Sequence, residues 1–193
     1  AVRFKREFRT VAQLTHPNLV RVLELGVDDA GLYFTMELVD GVDLRRHCAA
    51  ADRIARLERV LPEIVAALAH LHEHGIAHCD LKPDNVLVTD CGVVKLVDFG
   101  VLSELARRDG DGHLAGTPAY LAPERATGAA ASAATDVYAL GCTMYEILTG
   151  HPPFRGTVQA VLEAHASQRA PSPRELAADV PPALDELCVS MLG

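Results

Sequence analysis

The chain has 193 residues, of which 49% are hydrophobic and 23% are charged, enough apolar material for one domain with a buried core. Its formal net charge of −8 argues against non-specific nucleic-acid binding, because such binding needs a basic face. Five scattered cysteines without a C-x-x-C pair indicate neither a zinc site nor a disulfide framework, so a reducing, cytoplasmic setting is expected. No apolar run is long enough to cross a bilayer, and no membrane segment is expected in the chain.

The first part of the chain predicts a helix and then a β-hairpin. Residues 2–14 place apolar side chains at helical intervals between charged ones, which predicts an amphipathic helix. Residues 20–26 and 32–36 are apolar runs separated by the turn-forming residues 28–31, which predicts two antiparallel strands. Residues 36–41 then leave the second strand without beginning a helix at once.

A second amphipathic helix is predicted over residues 56–74, with Gly75 as its stop. Pro62 lies within this run, so we expect either a kink there or a helix that begins near Leu61. The apolar stripe comprises Leu57, Leu61, Ile64, Val65, Leu68 and Leu71.

A polar loop follows this helix and precedes a short apolar strand at residues 86–88. Its sequence is His78-Cys79-Asp80-Leu81-Lys82-Pro83-Asp84-Asn85. A loop anchored between two buried elements can hold a carboxylate, an ammonium and an amide at fixed separations, which transfer of a phosphoryl group requires. The alternative is an ordinary Asx-rich turn, because Asp, Pro and Asn are common turn formers.

A second carboxylate follows another β-rich run. Residues 93–97 predict a strand that ends just before Asp98-Phe99-Gly100, and Gly100 frees the backbone after it. Two carboxylates and an amide can hold Mg²⁺ on a triphosphate, because hard cations prefer oxygen ligands and take some from the substrate.

The last third of the chain predicts a mostly helical structure. Residues 135–148 are apolar nearly all round, Val137 included, and predict a helix buried on every side, with Asp136 at its start. The Ala-rich residues 126–134 predict a loop. Residues 158–165 and 181–192 predict two further helices separated by a Pro-rich loop.

Four motifs occur in one order along the chain: H-x-D-L-K-P-x-N at residues 78–85, D-F-G at 98–100, G-T-P-x-Y-x-A-P-E at 116–124 and D-x-Y-x-x-G at 136–141. Together they resemble the catalytic domain of eukaryotic-type (Hanks-type) serine/threonine protein kinases. The resemblance implies an α+β, protein-kinase-like fold with a truncated small lobe, made of one helix and a remnant sheet, and a mostly helical large lobe.

The resemblance also implies domain boundaries. We expect one partial kinase domain over residues 1–193, with the remnant small lobe at 1–36, the hinge at 37–43 and an incomplete large lobe at 44–193. Neither a glycine-rich loop nor the V-A-x-K lysine precedes Ala1, so the chain as given is expected to bind ATP weakly and to be inactive.

The motifs assign catalytic roles by resemblance. Asp80 would accept the proton of the substrate hydroxyl, and Lys82 would lie against the γ-phosphate of ATP. Asn85 and Asp98 would hold Mg²⁺. Thr117 would brace the substrate-side loop against Asp80 and Lys82.

Nucleotide-binding residues are implied in the same way. Glu7 would pair with the phosphate-holding lysine, and Met36 would be the gatekeeper beside the adenine. The backbone of Glu37 and Val39 would face the adenine edge. The alternative for Glu7 is a solvated residue on a charged helix face, and for the others an ordinary strand end.

Three further residues have two interpretations each. Asp43 would reach the ribose or would only cap a helix, and Leu87 would form the floor under the adenine or would be a core leucine. Asp136 would hold the backbone of the 78–85 loop, would be a helix N-cap, or would do both.

One departure from the family pattern predicts how activity is controlled. Cys79 stands where most family members have the arginine that receives an activation-segment phosphate, and Ser103 is the only hydroxyl side chain between Phe99 and Gly116. The expected function is ATP- and Mg²⁺-dependent phosphorylation of protein serine or threonine without a need for activation-loop phosphorylation. The alternatives are a pseudokinase that serves as a binding scaffold and a small-molecule kinase of related fold.

Overall fold

The computed structural model describes residues 14–28, 31–98 and 117–193. The predicted first helix with Glu7, and the residues Phe99, Gly100 and Ser103, lie outside the described residues. Strands within these ranges are β1 (Val22–Asp28), β2 (Gly31–Met36), β3 (Gly41–Asp43), β4 (Val86–Thr89) and β5 (Val94–Leu96). Helices within them are α1 (Leu44–His47), α2 (Arg53–Glu73), α3 (Pro123–Ala126), α4 (Ala133–Thr149), α5 (Val158–Ser167), α6 (Pro173–Leu176) and α7 (Pro182–Met191).

The strands form two small antiparallel sheets in the described part of the chain. β1 and β2 make the predicted hairpin, in which Asp28 pairs with Gly31. The second sheet has the order β3-β4-β5, with Asp43 opposite Leu87 and Leu87 opposite Lys95. Two small sheets beside a mostly helical remainder confirm the predicted α+β class.

Helix α2 is longer than predicted. It begins at Arg53 and continues through Pro62, so the expected start near Leu61 is wrong. Proline removes one backbone hydrogen bond, and the apolar residues buried before and after it hold the helix together. Val65 is also a correction, because it is exposed and lies outside the buried stripe. The buried side chains are Leu57, Val60, Ile64, Ala67, Leu68 and Leu71.

Helix α4 is the central helix of the core and packs against both α2 and α7. Twelve of its residues are buried, but Val137 is exposed, so the prediction of burial on every side is wrong at that position. Ser132 rather than Asp136 occupies the cap position. Gly141 lets α7 approach, since a Cβ there would lie 2.9 Å from the Met191 Cβ.

The C-terminal elements follow the predicted order with shifted ends. The predicted Ala-rich loop is shorter, because α3 ends at Ala126 and α4 begins at Ala133. The predicted Pro-rich loop between the last two long helices contains the short helix α6, which begins at Pro173 beside the capping Ser172. None of the helices in the described ranges combines the length and apolar character that a bilayer crossing needs.

Candidate active site

The backbone of the 78–85 loop is held by one buried carboxylate on α4. Asp136 on α4 is 0% exposed and accepts hydrogen bonds from the backbone N–H groups of His78 (2.7 Å) and Cys79 (2.9 Å). His72 Nε2 on α2 donates a third bond to it (2.8 Å). Three donors compensate the desolvation of this charge, and they fix the loop, in which Cys79 has a left-handed backbone with φ of 67°.

His78, the first residue of the loop, is fully buried. Burial lowers the pKa of its imidazole, and the carboxylates of Asp136, Asp80 and Asp98 oppose this by raising the pKa. The ring is expected to be neutral at pH 7.

Asp80 and Lys82 of the loop form a hydrogen-bonded triangle with Thr117. Lys82 Nζ donates to Asp80 Oδ2 (2.7 Å) and to Thr117 Oγ1 (3.0 Å). The backbone N–H and the hydroxyl of Thr117 both lie 3.3 Å from Asp80 Oδ1. Both carboxylate oxygens therefore have fixed directions, while the side chains of Asp80 and Lys82 remain 21% exposed and accessible from solvent.

Asn85 joins this triangle to the end of β5. Its Nδ2 donates to the Asp80 carbonyl (2.7 Å) and to Asp80 Oδ2 (3.2 Å). The Val97 N–H donates to the Asn85 carbonyl (3.0 Å), so the backbone of the residue that precedes Asp98 is fixed to the 78–85 loop. Asp98 is exposed and has φ of 56°, a conformation that residues other than glycine adopt rarely and mostly where the surrounding structure enforces it.

Asn85 and Asp98 both have side-chain oxygen atoms. Asn85, whose Nδ2 is used toward Asp80, also carries an amide oxygen, and Asp98 carries a carboxylate. These are ligands of the type that Mg²⁺ prefers, and Mg²⁺ is usually bound by only one or two protein groups together with substrate phosphates. Within the described ranges no three His, Cys, Asp or Glu residues are grouped as a self-sufficient metal site.

Residues 36–43 run from the last residue of β2 through β3 to the start of α1 and include four predicted nucleotide-binding positions. Met36 is exposed, and the Glu37 carboxylate accepts a bond from Lys95 Nζ on β5 (2.6 Å). This bond is the main reason that the pKa of Glu37 is lowered. The Val39 N–H has no backbone hydrogen-bond partner in the described part of the chain. Asp43 caps α1 by accepting from the Arg46 N–H (3.0 Å).

Lys95 and Leu87 complete the surroundings of this segment. Leu87 on β4 is half-buried and lies opposite Asp43 in the sheet. Lys95 was not predicted as a site residue. The sequence offers little indication of its role, because a lysine within a short apolar strand does not show which acidic residue it will contact.

A second group of polar residues near the loop was also missed. Arg45 contacts Asp84, Glu146 and Tyr120, and its hydrogen bond is the main reason that the pKa of Asp84 is lowered. Burial, followed by Glu146, raises the pKa of the Tyr120 phenol. A sequence signal existed, since a glutamate inside the apolar run of α4 requires a partner, although it does not say which one.

Comparison with known proteins shows the family of the chain. Residues 2–192 match the family model of the protein kinase domain. The chain is 43% identical over 200 aligned residues to the DNA damage-responsive serine/threonine-protein kinase RqkA of Deinococcus radiodurans, covering 99% of this chain and 30% of that protein. It is 38% identical over 203 aligned residues to the serine/threonine-protein kinase PknB of Mycolicibacterium smegmatis, covering 100% of this chain and 32% of that protein. The chain thus spans about a third of the length of these relatives.

A solved structure shows the same fold. The crystal structure of the Mycobacterium tuberculosis PknI kinase domain, solved as a cysteine-to-alanine mutant, superposes with a TM-score of 0.76 at 27% identity, covering 100% of this chain and 69% of that one. Family model, relatives and fold lead to one conclusion: the chain belongs to the protein kinase domain family, with bacterial Hanks-type serine/threonine kinases as relatives.

Proposed function

We propose that the full-length polypeptide carrying this chain is a protein kinase that transfers the γ-phosphate of ATP to serine or threonine of protein substrates. The observation that carries this proposal is the network in which Lys82, Thr117 and Asn85 fix both oxygens of the Asp80 carboxylate. A carboxylate oriented in this way, yet accessible, is suited to receive a proton from an incoming hydroxyl.

Each residue of the network has its own task. Asp80 orients the substrate hydroxyl and accepts its proton. Lys82 lies 2.7 Å from the Asp80 carboxylate and supplies a positive charge where a transferred phosphoryl group would carry negative charge. Thr117 connects the substrate-side segment to both groups, so that a bound peptide and the proton acceptor keep one relative position.

When bound, ATP would supply the phosphoryl group, and Mg²⁺ would neutralise part of its charge. Asn85 and Asp98 would hold the metal ion through hard oxygen atoms. Met36, the backbone of Glu37 and Val39, and Leu87 would surround the adenine. That role fits the Val39 N–H, which lacks a backbone partner among the described residues.

The remaining assignments extend this proposal along the chain. Asp43 would reach the ribose in addition to capping α1, and Glu7 would pair with the phosphate-holding lysine. Residues 1–36 would belong to the small lobe, 37–43 to the hinge and 44–193 to the large lobe. A cytoplasmic location is proposed because ATP is available there and because the five cysteines, all within the described residues, form no disulfide with one another.

We also propose that the kinase does not need a phosphate on its activation loop. Cys79 cannot provide the positive charge that an arginine would offer to such a phosphate, and its backbone is already fixed by Asp136. The full-length protein treated with a phosphatase is expected to keep its rate. Loss of most activity, with the phosphate mapped to residues 101–117, would contradict this part of the proposal.

The experiment that tests the main proposal measures phosphate transfer by the full-length protein to a library of Ser/Thr peptides. The wild-type protein should produce phosphoserine or phosphothreonine with ATP and Mg²⁺. Asp80→Asn should lower the rate by about 10²–10⁴-fold with little change in the thermal midpoint. The same change at Asp90→Asn, an exposed carboxylate of the β4–β5 turn, is the matched control and should leave the rate unchanged.

Two results would overturn the proposal. The first is an Asp80→Asn variant that retains the wild-type rate. The second is a wild-type protein that binds nucleotide with Mg²⁺ but transfers no phosphate to any peptide, which would favour the scaffold interpretation.

A further inference from the structure

Three histidine rings lie in a row at the C-terminal end of helix α2. The ring centroids of His70 and His74 are 4.6 Å apart, with the ring planes tilted by 47°. The ring of His16, in the turn that precedes β1, stacks on His70 at a centroid distance of 5.1 Å. His70 is half-buried and His74 is exposed, so a solute can reach this pair from solvent.

His70 and His74 have the spacing of a chelating pair. Residues four apart on a helix lie on one face, and two histidines in this relation are a known pattern for Zn²⁺ binding. Two imidazoles that share one Zn²⁺, at Zn–N distances of about 2.0–2.1 Å, have ring centroids about 4.5–5.2 Å apart. The pair therefore already has the separation that a shared ion requires.

The hydrogen bonds of the two rings decide which nitrogen atoms are available. His74 Nδ1 contacts the His70 carbonyl at 2.8 Å. A carbonyl only accepts, so Nδ1 carries the proton and the neutral ring has a lone pair on Nε2. Metal-binding histidines usually donate their other ring N–H to a carbonyl or carboxylate in this way. Among the described residues, neither ring nitrogen of His70 has a hydrogen-bond partner.

His16 supports the pair without being a ligand. Its Nδ1 accepts a hydrogen bond from the Asn18 N–H (3.2 Å), so the proton of the neutral ring is on Nε2 and neither nitrogen has a lone pair left. Its stacking on His70 reduces the rotational freedom of that side chain, which lowers the entropy cost of binding an ion. Two protein ligands, with water in the remaining positions, agree with the lack of any three grouped metal-binding side chains within the described ranges.

The end of α2 also favours a cation. This helix has 21 residues, and the carbonyl groups at the C-terminus of a helix carry partial negative charge. We propose that His70 and His74 form a binding site for a divalent transition-metal ion that prefers imidazole ligands, such as Zn²⁺, Ni²⁺ or Cu²⁺. This site is separate from the Mg²⁺ site proposed at Asn85 and Asp98.

A bound ion acts on the helical turn that leads into the 78–85 loop. His72 lies between the two ligands in sequence and contacts the buried Asp136 at 2.8 Å, and Asp136 holds the backbone of that loop. An ion that joins His70 to His74 stabilises this last turn, because it binds the helical arrangement better than the unfolded chain. Its binding requires no nucleotide and does not depend on phosphate transfer.

The test measures Zn²⁺ binding to the full-length protein by calorimetry, without nucleotide and after bound metal has been removed with a chelator. His70→Gln and His74→Gln should each weaken Zn²⁺ binding at this site by about tenfold or more. A hundredfold excess of Zn²⁺ over its Kd should raise the thermal midpoint of the wild-type protein by about 5 °C and should leave that of His74→Gln unchanged.

Three further variants serve as controls. His47→Gln removes a half-buried histidine from α1, and Asp98→Asn removes a proposed Mg²⁺ ligand, and both should keep the wild-type affinity for Zn²⁺ at the His70–His74 site. His16→Phe keeps an aromatic ring beside His70 without a ligand nitrogen and should also keep the binding. The exposed His74→Gln decides the question if His70→Gln fails to fold.

Cu²⁺ as a probe gives a second readout, because its electron paramagnetic resonance spectrum shows couplings to the coordinating nitrogen atoms. At one equivalent of Cu²⁺, His74→Gln should lose the coupling to one imidazole that the wild-type protein shows. Absence of Zn²⁺ binding to the wild-type protein, or equal binding by the wild-type protein and both ligand variants, would overturn the inference. An equal loss of binding in His16→Phe would assign the ion to a different pair of rings and would overturn it as well.

Discussion

The 78–85 loop and the segment 36–43 both connect to the second sheet, the loop through β4 and the segment through β3, but they are held in different ways. The loop is fixed from the core side by Asp136, a fully buried carboxylate with three hydrogen-bond donors. The segment is fixed from its outer side by the Lys95–Glu37 pair and by the capping Asp43, whose side chains are partly exposed.

The two ways of anchoring suit two different tasks, proton transfer and nucleotide binding. Groups that handle a proton must keep their geometry to within a fraction of an ångström, and a buried anchor achieves this because its loss leaves unsatisfied backbone groups. A segment that surrounds a nucleotide gains from exposed backbone groups, which a solvent-facing anchor leaves open. We therefore expect substitutions beneath the loop to change both stability and rate, and those beside the segment to change mainly nucleotide affinity.

The largest effect is expected for Asp136→Ala. The N–H groups of His78 and Cys79 would lose their acceptor inside the protein, so the free energy of unfolding should fall by about 3 kcal/mol, and phosphate transfer should be lost. Urea denaturation measures the first effect, with Asp90→Ala as the exposed control. A decrease below about 1 kcal/mol, with activity retained, would show that the loop does not depend on its anchor.

The sequence predicts some parts of this arrangement better than others. The 78–85 loop and its neighbouring elements follow from the local sequence pattern, whereas the interaction of its backbone with Asp136 was implied only by the family resemblance, beside the alternative of an N-cap. Arg45 and Glu146 were missed because they are 101 residues apart, and only the packing of α1 beside α4 brings them together. Val65 and Val137 were assigned to the core from periodicity alone, whereas their exposure depends on which neighbouring elements cover each helix face.

A smaller effect is expected for Glu37→Gln. The Lys95–Glu37 pair is partly exposed, so its loss should change the free energy of unfolding by less than about 1 kcal/mol. The KM for ATP should rise about two- to fivefold with kcat unchanged, because the segment loses an anchor while the Asp80 network stays intact. Steady-state kinetics with Glu24→Gln, an exposed change on β1, as control would test this, and a fall in kcat with unchanged KM would contradict it.

The smallest effect concerns pH and the buried His165. Burial lowers the pKa of this imidazole, and the Tyr138 hydroxyl contacts its Nδ1 at 2.6 Å. Because the unfolded state binds the proton first, the stabilising contribution is present above the ordinary pKa of about 6.5 and is lost as pH falls toward the lowered folded value. The thermal midpoint should therefore decrease between pH 7.5 and 5.5, and this decrease should be smaller in His165→Gln. An unchanged pH dependence in that variant, with the exposed His74→Gln as control, would show that His165 does not contribute.

The most direct test of the central claim is the affinity of the full-length protein for a non-hydrolysable ATP analogue, measured by calorimetry with and without Mg²⁺. The account predicts that Asp80→Asn keeps the Mg²⁺-dependent gain in affinity, because Asp80 handles the proton, and that Asp98→Asn loses it, because Asp98 holds the metal ion. An Asp98→Asn variant that retains the full Mg²⁺-dependent gain would contradict the account.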